Sequence, residues 1–235
     1  MSGRLVTVDG VTRIECFDPR NGETTETLDC TPVASVSQSV QSAREAQEEW
    51  ASLGLKRRKW ALDDVHKAFL QHADEFATLL AEECGRPAGE AWTSELLANH
   101  HLFKYWLSHI DDLMTAFPLS LSPIDYPGKR GKIVLEPKGV IALITPWNLP
   151  LAIPLRGMIP ALLAGNSVIL KPSEHTPRVG ALIGKIFAKH LPSGVVQVIQ
   201  GAGDQGAALV DAAPDQIFFT GSVPTGRAVA ASAAS

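Results

Sequence analysis

Cysteine, net charge of one sign and long apolar runs are all scarce in this chain, and each scarcity closes off a class of protein. Three cysteines in 235 residues, Cys16, Cys30 and Cys84, are too few and too scattered for a disulfide framework or a zinc site. A reducing, cytoplasmic compartment is the expectation. With 21 Lys and Arg against 25 Asp and Glu, the net charge of -4 leaves no basic surplus for nucleic acid. The single basic run, Lys56-Arg57-Arg58-Lys59, reads as a solvated helix start. No apolar core follows a basic stub at the N-terminus, so no secretory signal is expected. The longest uncharged stretch, Gly139 to Leu155, is broken by Pro146, Pro150 and Pro154, which excludes a membrane span there. No metal site is expected either: His100, His101 and His109 read as partly buried helix residues, and Asp63-Asp64 and Asp111-Asp112 as surface charge.

What is present is the composition of a globular protein, 45% hydrophobic and 20% charged. Length divided by 150 gives about 1.6, one large domain or two small ones. Charge is unevenly spread: residues 1–138 hold 36 charged side chains and residues 139–235 only 10. The first half therefore reads as surface helices, the second as buried sheet.

Ser35 followed by Gln38 has the spacing of a capping box, and Val36, Val40, Ala43, Gln47 and Trp50 recur at helical spacing behind it. A second helix is predicted over Lys56 to Cys84, stopped by Gly85 and Pro87, and a third over Ala88 to Met114. Pro118 to Gly131 reads as a connection and Lys132 to Glu136 as a short strand. Beyond Gly139 the rhythm changes, with β-branched runs at Val140 to Thr145, Ser167 to Leu170, Val195 to Ile199 and Ile217 to Thr220. Helical segments near Ile153 to Leu163, Pro177 to Lys189 and Asp204 to Val210 separate them. Apolar strands alternating with helices predict a parallel sheet covered on both faces. The fold class is thus α/β: a Rossmann-like open sheet at 138–235, an N-terminal helical part at 1–118, and a small strand-bearing excursion at 119–137.

In such a sheet the ligand crevice lies at the carboxyl ends of the strands. The residues there are Thr145-Pro146-Trp147-Asn148, Lys171-Pro172-Ser173-Glu174, Gly201 to Gly206, and Gly221-Ser222. Lys171 suits a phosphate oxygen or ribose hydroxyl, and Glu174 a ribose diol. Gly221-Ser222 ahead of Pro224-Thr225-Gly226 reads as a strand, a tight turn and a helix N-terminus, which favours a pyrophosphate. Asn148 is a neutral donor able to stabilise an oxyanion. Taken singly, a Lys or Glu at a strand end is commonly a solvated turn residue and Trp147 a core residue; four loops on one edge favour the ligand reading. Gly201 to Gly206 matches G-x-G-x-x-G only formally, because it follows the third strand of the sheet.

Taken together, Ile144-Thr145-Pro146-Trp147-Asn148-Leu149-Pro150, Pro160 to Asn166, Lys171-Pro172-Ser173-Glu174 and Phe219-Thr220-Gly221-Ser222 resemble the aldehyde dehydrogenase superfamily. Asp18 to Glu23 and Glu83 to Pro87 are similar to that family's opening turn and its turn after the second long helix. The resemblance implies NAD(P)-dependent oxidation of an aldehyde to a carboxylic acid, by way of a cysteine thiolate and a glutamate-activated water. It makes Asn148 half of the oxyanion hole and, with Ile144, Thr145, Pro146 and Trp147, a cofactor contact. Lys171 and Glu174 then face the adenosine ribose, Gly203, Gly221 and Ser222 line the adenine and pyrophosphate region, and Ser173, Gly206 and Phe219 are further cofactor-binding residues. Glu174 favours NAD, with NADP possible. A small aldehyde is the implied substrate, and the excursion implies a homo-oligomer.

The family's nucleophilic cysteine and general-base glutamate lie beyond the Thr-Gly-Ser turn, and the given sequence ends at Ser235. The catalytic domain is therefore expected to be absent from this chain. Cys84 falls at a predicted helix C-terminus, where the dipole raises a thiol pKa, and Cys16 and Cys30 lie in an N-terminal strand-like region and read as small buried hydrophobes. The alternative is a catalytically inactive product that binds nucleotide or pairs with a full-length relative.

Overall fold

A computed structural model describes residues 3–234 of the chain. The N-terminal segment forms an antiparallel sheet of β1 (Gly3–Val8), β2 (Val11–Phe17) and β3 (Thr24–Asp29). Asp9 and Gly10 both take positive φ, 52° and 77°, and close a two-residue hairpin between the paired Val8 and Val11. An Asp-Gly pair is the strongest short hairpin signal a sequence carries. Ile14 and Cys16 point inwards from β2 onto Cys30 and Leu28. So residues 3–29, within the part expected to be helical, are a sheet.

Helices follow: α1 (Val36–Ser52), α2 (Gly54–Gln71), α3 (Ala73–Cys84) and the short α4 (Ala88–Ala91), which runs through a π-helical stretch, Trp92–Leu97, into α5 (Ala98–Met114). Val36, Val40, Ala43 and Trp50 are buried as their spacing predicts. Gln47 is the polar member of that stripe because its Nε2 donates to the Gly165 carbonyl at 2.9 Å. The expected capping box is not made. Ser35 sits in a 3-10 turn, Val33–Ser35, with helical φ and ψ, and its Oγ donates to Pro32 O. The single helix expected over Lys56 to Cys84 is two, parted at His72, whose ring nitrogen meets the Glu75 carboxylate. Across that break Phe69 and Phe76 stack at 5.2 Å, which brings both helices onto one core.

The excursion is a two-stranded ladder of β4 (Phe117–Leu119) and β5 (Gly131–Ile133). The strand expected at Lys132 to Glu136 thus stops at Ile133. Its partner there is Phe117, the first residue of β4, so Val134 onward has no strand to pair with.

The parallel sheet has the order β8-β7-β6-β9, built from β6 (Val140–Ile144), β7 (Ser167–Lys171), β8 (Val196–Val198) and β9 (Gln216–Phe219). Between them run α6 (Ala152–Leu163), α7 (Pro177–His190) and α8 (Gly203–Asp211), and α9 (Val223–Ala233) follows β9. Alternate residues feed two cores. Ile141, Leu143, Val168 and Leu170 pack with α2, α5, α6 and α7, whereas Val140, Ala142, Ile144 and Ile169 pack with α1 and α8. Each fully buried Leu or Ile contributes roughly 2 kcal/mol. Because β6 is flanked by β7 on one side and β9 on the other, the connections diverge at its carboxyl end. That is the switch point at which open α/β sheets leave a crevice.

The carbonyls at the end of α6 receive three side-chain donors. Trp50 Nε1 donates to Leu162 O at 2.9 Å, Arg58 Nε to Leu163 O at 3.0 Å, and Gln47 to Gly165 O. Arg58 is therefore not solvated, as the basic run suggested; it is buried, with a second donor on Ala51 O. A cation at a helix C-terminus is favourably placed.

Candidate functional site

At the switch point lies a cleft of about 510 Å³, floored by the ends of β6, β7 and β9 and walled by α8 and α9. Ile144, Thr145, Pro146 and Trp147 border it from the loop after β6. Lys171, Ser173 and Glu174 border it from the loop after β7, and Gly203 and Gly206 from the start of α8. Phe219, Gly221 and Ser222 complete the rim. Asn148 is not among the lining residues. It is exposed on the same loop, and its carbonyl accepts from Arg86 Nη2.

Lys171 is 5% exposed, with Nζ on the Pro172 carbonyl at 2.9 Å. Burial lowers its pKa, and the Glu174 carboxylate acts in the opposite sense. Gly206 lies against the Lys171 stem: a Cβ there stands 3.5 Å from Cδ. Ser173 Oγ accepts from His175 N, which turns the chain into α7. Thr145 Oγ1 is buried and has no hydrogen-bond partner among the described residues.

The turn after β9 is set by its glycines. A Cβ on Gly221 meets the Phe219 ring at 2.6 Å, and one on Gly226 at 3.2 Å, so larger residues displace the ring. Ser222 is the cap of α9, its Oγ accepting from Thr225 N at 3.3 Å, and Pro224 stands in the first turn. At α8 nothing lies within 4 Å of a Cβ on Gly203, so that helix start is open.

Sequence reasoning missed the far wall. Thr225, Ala228, Val229 and Ser232 of α9 line the cleft, small residues at helical spacing that leave it room. That spacing, read from the Pro224-Thr225-Gly226 signal onward, was the available clue. A second groove of about 550 Å³ lies on the opposite side, along Ile141, Leu143, Phe218 and α6. It is slightly larger but runs along the sheet face instead of across the strand ends, and it lacks the convergence of glycine turns and a buried cation.

Burial pushes Cys16 and Cys84 each up to about 12, Glu95 adding to the rise at Cys84, and burial also raises Cys30. The rise expected at Cys84 is present, with desolvation its leading cause. Its Sγ donates to Trp147 O at 3.6 Å. His66 Nε2 and His100 Nδ1 are 3.0 Å apart, while His101 and His109 are exposed, which corrects the expectation of partial burial for both. Among the described residues no group of three or more His, Cys, Asp and Glu could hold a metal ion, and no helix is long and apolar enough to cross a membrane.

An open parallel sheet with a polar cleft at its switch point defines the class: an α/β protein of the Rossmann-like kind. Residues 6–235 match the model of the aldehyde dehydrogenase family, and the chain belongs to that family. It is 35% identical over 220 residues to a 4,4'-diapolycopene aldehyde oxidase of Methylomonas, covering 93% of this chain and 42% of that one. The NAD-dependent benzaldehyde dehydrogenase of Corynebacterium glutamicum superposes with a TM-score of 0.85 at 28% identity, over 99% of this chain and 49% of its own. The Mycobacterium tuberculosis aldehyde dehydrogenase solved with NAD+ gives 0.85 at 30% identity, over 93% and 45%. The chain thus spans somewhat less than half the length of these relatives.

Proposed function

We propose that this chain forms the cofactor-binding part of an enzyme that oxidises an aldehyde to a carboxylic acid with NAD, or less favourably NADP. The observation that carries this reading is the cleft itself, where three strand ends, a buried lysine and two glycine turns converge. A nicotinamide dinucleotide, when bound, supplies the hydride acceptor. In this reading Lys171 and Glu174 hold the adenosine ribose hydroxyls, and the buried ammonium is a donor already stripped of water. Glu174 repels a 2′-phosphate, which favours NAD. Gly221, Ser222 and the start of α9 face the pyrophosphate, as helix N-termini favour anions. Thr145 Oγ1, buried and unpaired among the described residues, suits a ligand contact beside Ile144, Pro146 and Trp147. Asn148, on the same loop and outside the lining of the cleft, supplies a neutral donor to an oxyanion.

The proposed organisation is an N-terminal part at 1–118, an oligomerisation excursion at 119–137 and the cofactor part at 138–235. Exposed Leu119, Ile133 and Val134 on the excursion, with Phe117 of β4 just before it, support a homo-oligomer. Three free thiols suit a cytoplasmic setting. One observation favours a second reading, a non-catalytic chain that binds nucleotide or pairs with a longer relative: every thiol is raised and none lines the cleft.

Calorimetric titration of NAD into the chain, Lys171→Ala and Glu174→Ala tests the first reading. Loss of a charged hydrogen bond predicts about a 10-fold weaker affinity for Lys171→Ala; unchanged affinity in both variants sinks it. NAD binding without aldehyde-dependent NADH production is expected of the chain in both readings; NADH production by the chain contradicts the second, and a stable complex with a longer relative supports it.

A further inference from the structure

Two helices that rise from the cleft's loops begin without caps of their own. Helix α6 follows Leu151, which has no acceptor, and α7 follows Thr176, whose side chain makes no capping bond. Their first amides are satisfied from a distance. Glu95 Oε2 accepts from Leu151 N at 2.9 Å and Ala152 N at 3.0 Å. Glu83 Oε1 and Oε2 accept from Arg178 N at 2.8 Å and Val179 N at 2.9 Å. Both carboxylates are buried, Glu95 completely, and each stands at the positive end of a helix dipole.

Glu83 and Glu95 belong to one short segment, and the residues between them reach the same loop. Arg86 donates through Nη1 to Glu95 Oε1 at 2.6 Å and to Ser94 Oγ at 3.1 Å, and through Nη2 to Asn148 O. Cys84 Sγ donates to Trp147 O. Glu95 faces inwards from the π-helical stretch Trp92–Leu97, and such wide turns recur at functional sites. A local Ser at the helix start satisfies the same amides without burying a charge, as Ser222 does for α9. Burying an ion pair instead is a costly way to cap a helix. What it adds is a fixed position relative to a third element.

We propose that the segment from Glu83 to Glu95 is the positioning element of the site, with Arg86 and Glu95 fixing the loop that carries Trp147 and Asn148, and Glu83 fixing the end of the loop that carries Lys171 and Glu174. This rests on the reading of the cleft as a cofactor site. The segment touches neither cofactor nor substrate in that reading; it acts through backbone.

The test pairs residue-resolved amide exchange with NAD titration on the whole chain, for Arg86→Met, Glu95→Gln and Glu83→Gln. Arg86→Met and Glu95→Gln are expected to speed exchange at Leu151 and Ala152 by about 10-fold, with Val179 and the strand residues Val168 to Leu170 unchanged. Glu83→Gln is expected to do the reverse, loosening Arg178 and Val179 alone. NAD affinity falls by about 5-fold in each variant, the cost of a displaced contact. If Glu95→Gln does not fold, Arg86→Lys, which keeps the charge but cannot bridge Glu95 and Asn148 O together, takes its place with the same expectation at the β6 loop. Exchange that rises uniformly, or not at all, overturns the proposal. So does an unchanged affinity in variants whose loops have loosened. A wild-type chain that binds no NAD removes the cofactor reading instead, and the exchange pattern still decides whether the segment fixes the loops.

Discussion

Helices α6, α7 and α9 all rise from one edge of the same sheet, yet they are started in two different ways. Helix α9 carries its own cap in Ser222 and buries none of its residues. Helix α6 buries most of its residues and α7 half, and they take their caps from Glu95 and Glu83 on another part of the chain. Helices α6 and α7 are thus tied to another part of the chain, whereas α9 is started by its own sequence.

The largest expected effect comes from cutting a distant cap. Glu83→Ala leaves two amides of α7 without an acceptor and Arg178 with fewer acidic partners, which predicts a loss of about 3 kcal/mol in urea unfolding. A loss below about 1 kcal/mol would mean that α7 is capped by water and the contrast with α9 is false.

The same carboxyl sets a pH dependence. Burial raises Glu83 from 4.5 to about 7, against two backbone amides and the Arg178 guanidinium, with Glu26 adding to the rise. Between those values the folded chain holds a proton that the unfolded chain has released, so stability from this group falls as pH rises from about 4.5 to about 7. At about 1.4 kcal/mol per unit the span is roughly 3 kcal/mol. Glu83→Gln removes the titration, so its penalty relative to wild type is expected to be larger at pH 5 than at pH 8, read from denaturant midpoints. A penalty that grows with pH reverses the sign.

Cutting the local cap does less. Ser222→Ala is expected to cost about 1 kcal/mol within α9, seen as about 5-fold faster amide exchange there, with the melting temperature of the chain nearly unchanged. The smallest effect belongs to neither kind of cap. Arg13 and Asp29 pair at 2.7 Å on the exposed face of β2 and β3, and Arg13→Ala is expected to change stability by less than about 1 kcal/mol.

The same contrast explains what could be read in advance. The four parallel strands and their helices were legible within a few residues because the runs are apolar, with β6 and β7 buried on both faces; at β9 the expected cover is incomplete, Phe218 being exposed. The cleft was legible as a set because strand ends converge by topology, and every expected cofactor residue except Asn148 lines it. Asn148 stands outside that lining, its carbonyl bonded to Arg86. Polar, mostly exposed strands hid the pairing of the N-terminal sheet, legible only as a strand-like region at Cys16 and Cys30, although Asp9-Gly10 marks its hairpin. Arg58, Glu83 and Glu95 were illegible for a different reason: each bonds carbonyls or amides far along the chain, about a hundred residues away for Arg58 and some 95 and 56 residues away for Glu83 and Glu95. The break at His72 had no glycine or proline to mark it.

The most direct test of the central claim is amide exchange of the chain with and without saturating NAD. The account predicts slowed exchange at residues 144–147, 171–174 and 203–206 and at the turn 220–225, with the groove along Leu143, Gly157 and Phe218 unaffected. Protection confined to that groove, or none at the strand ends under conditions where NAD binds, would contradict it.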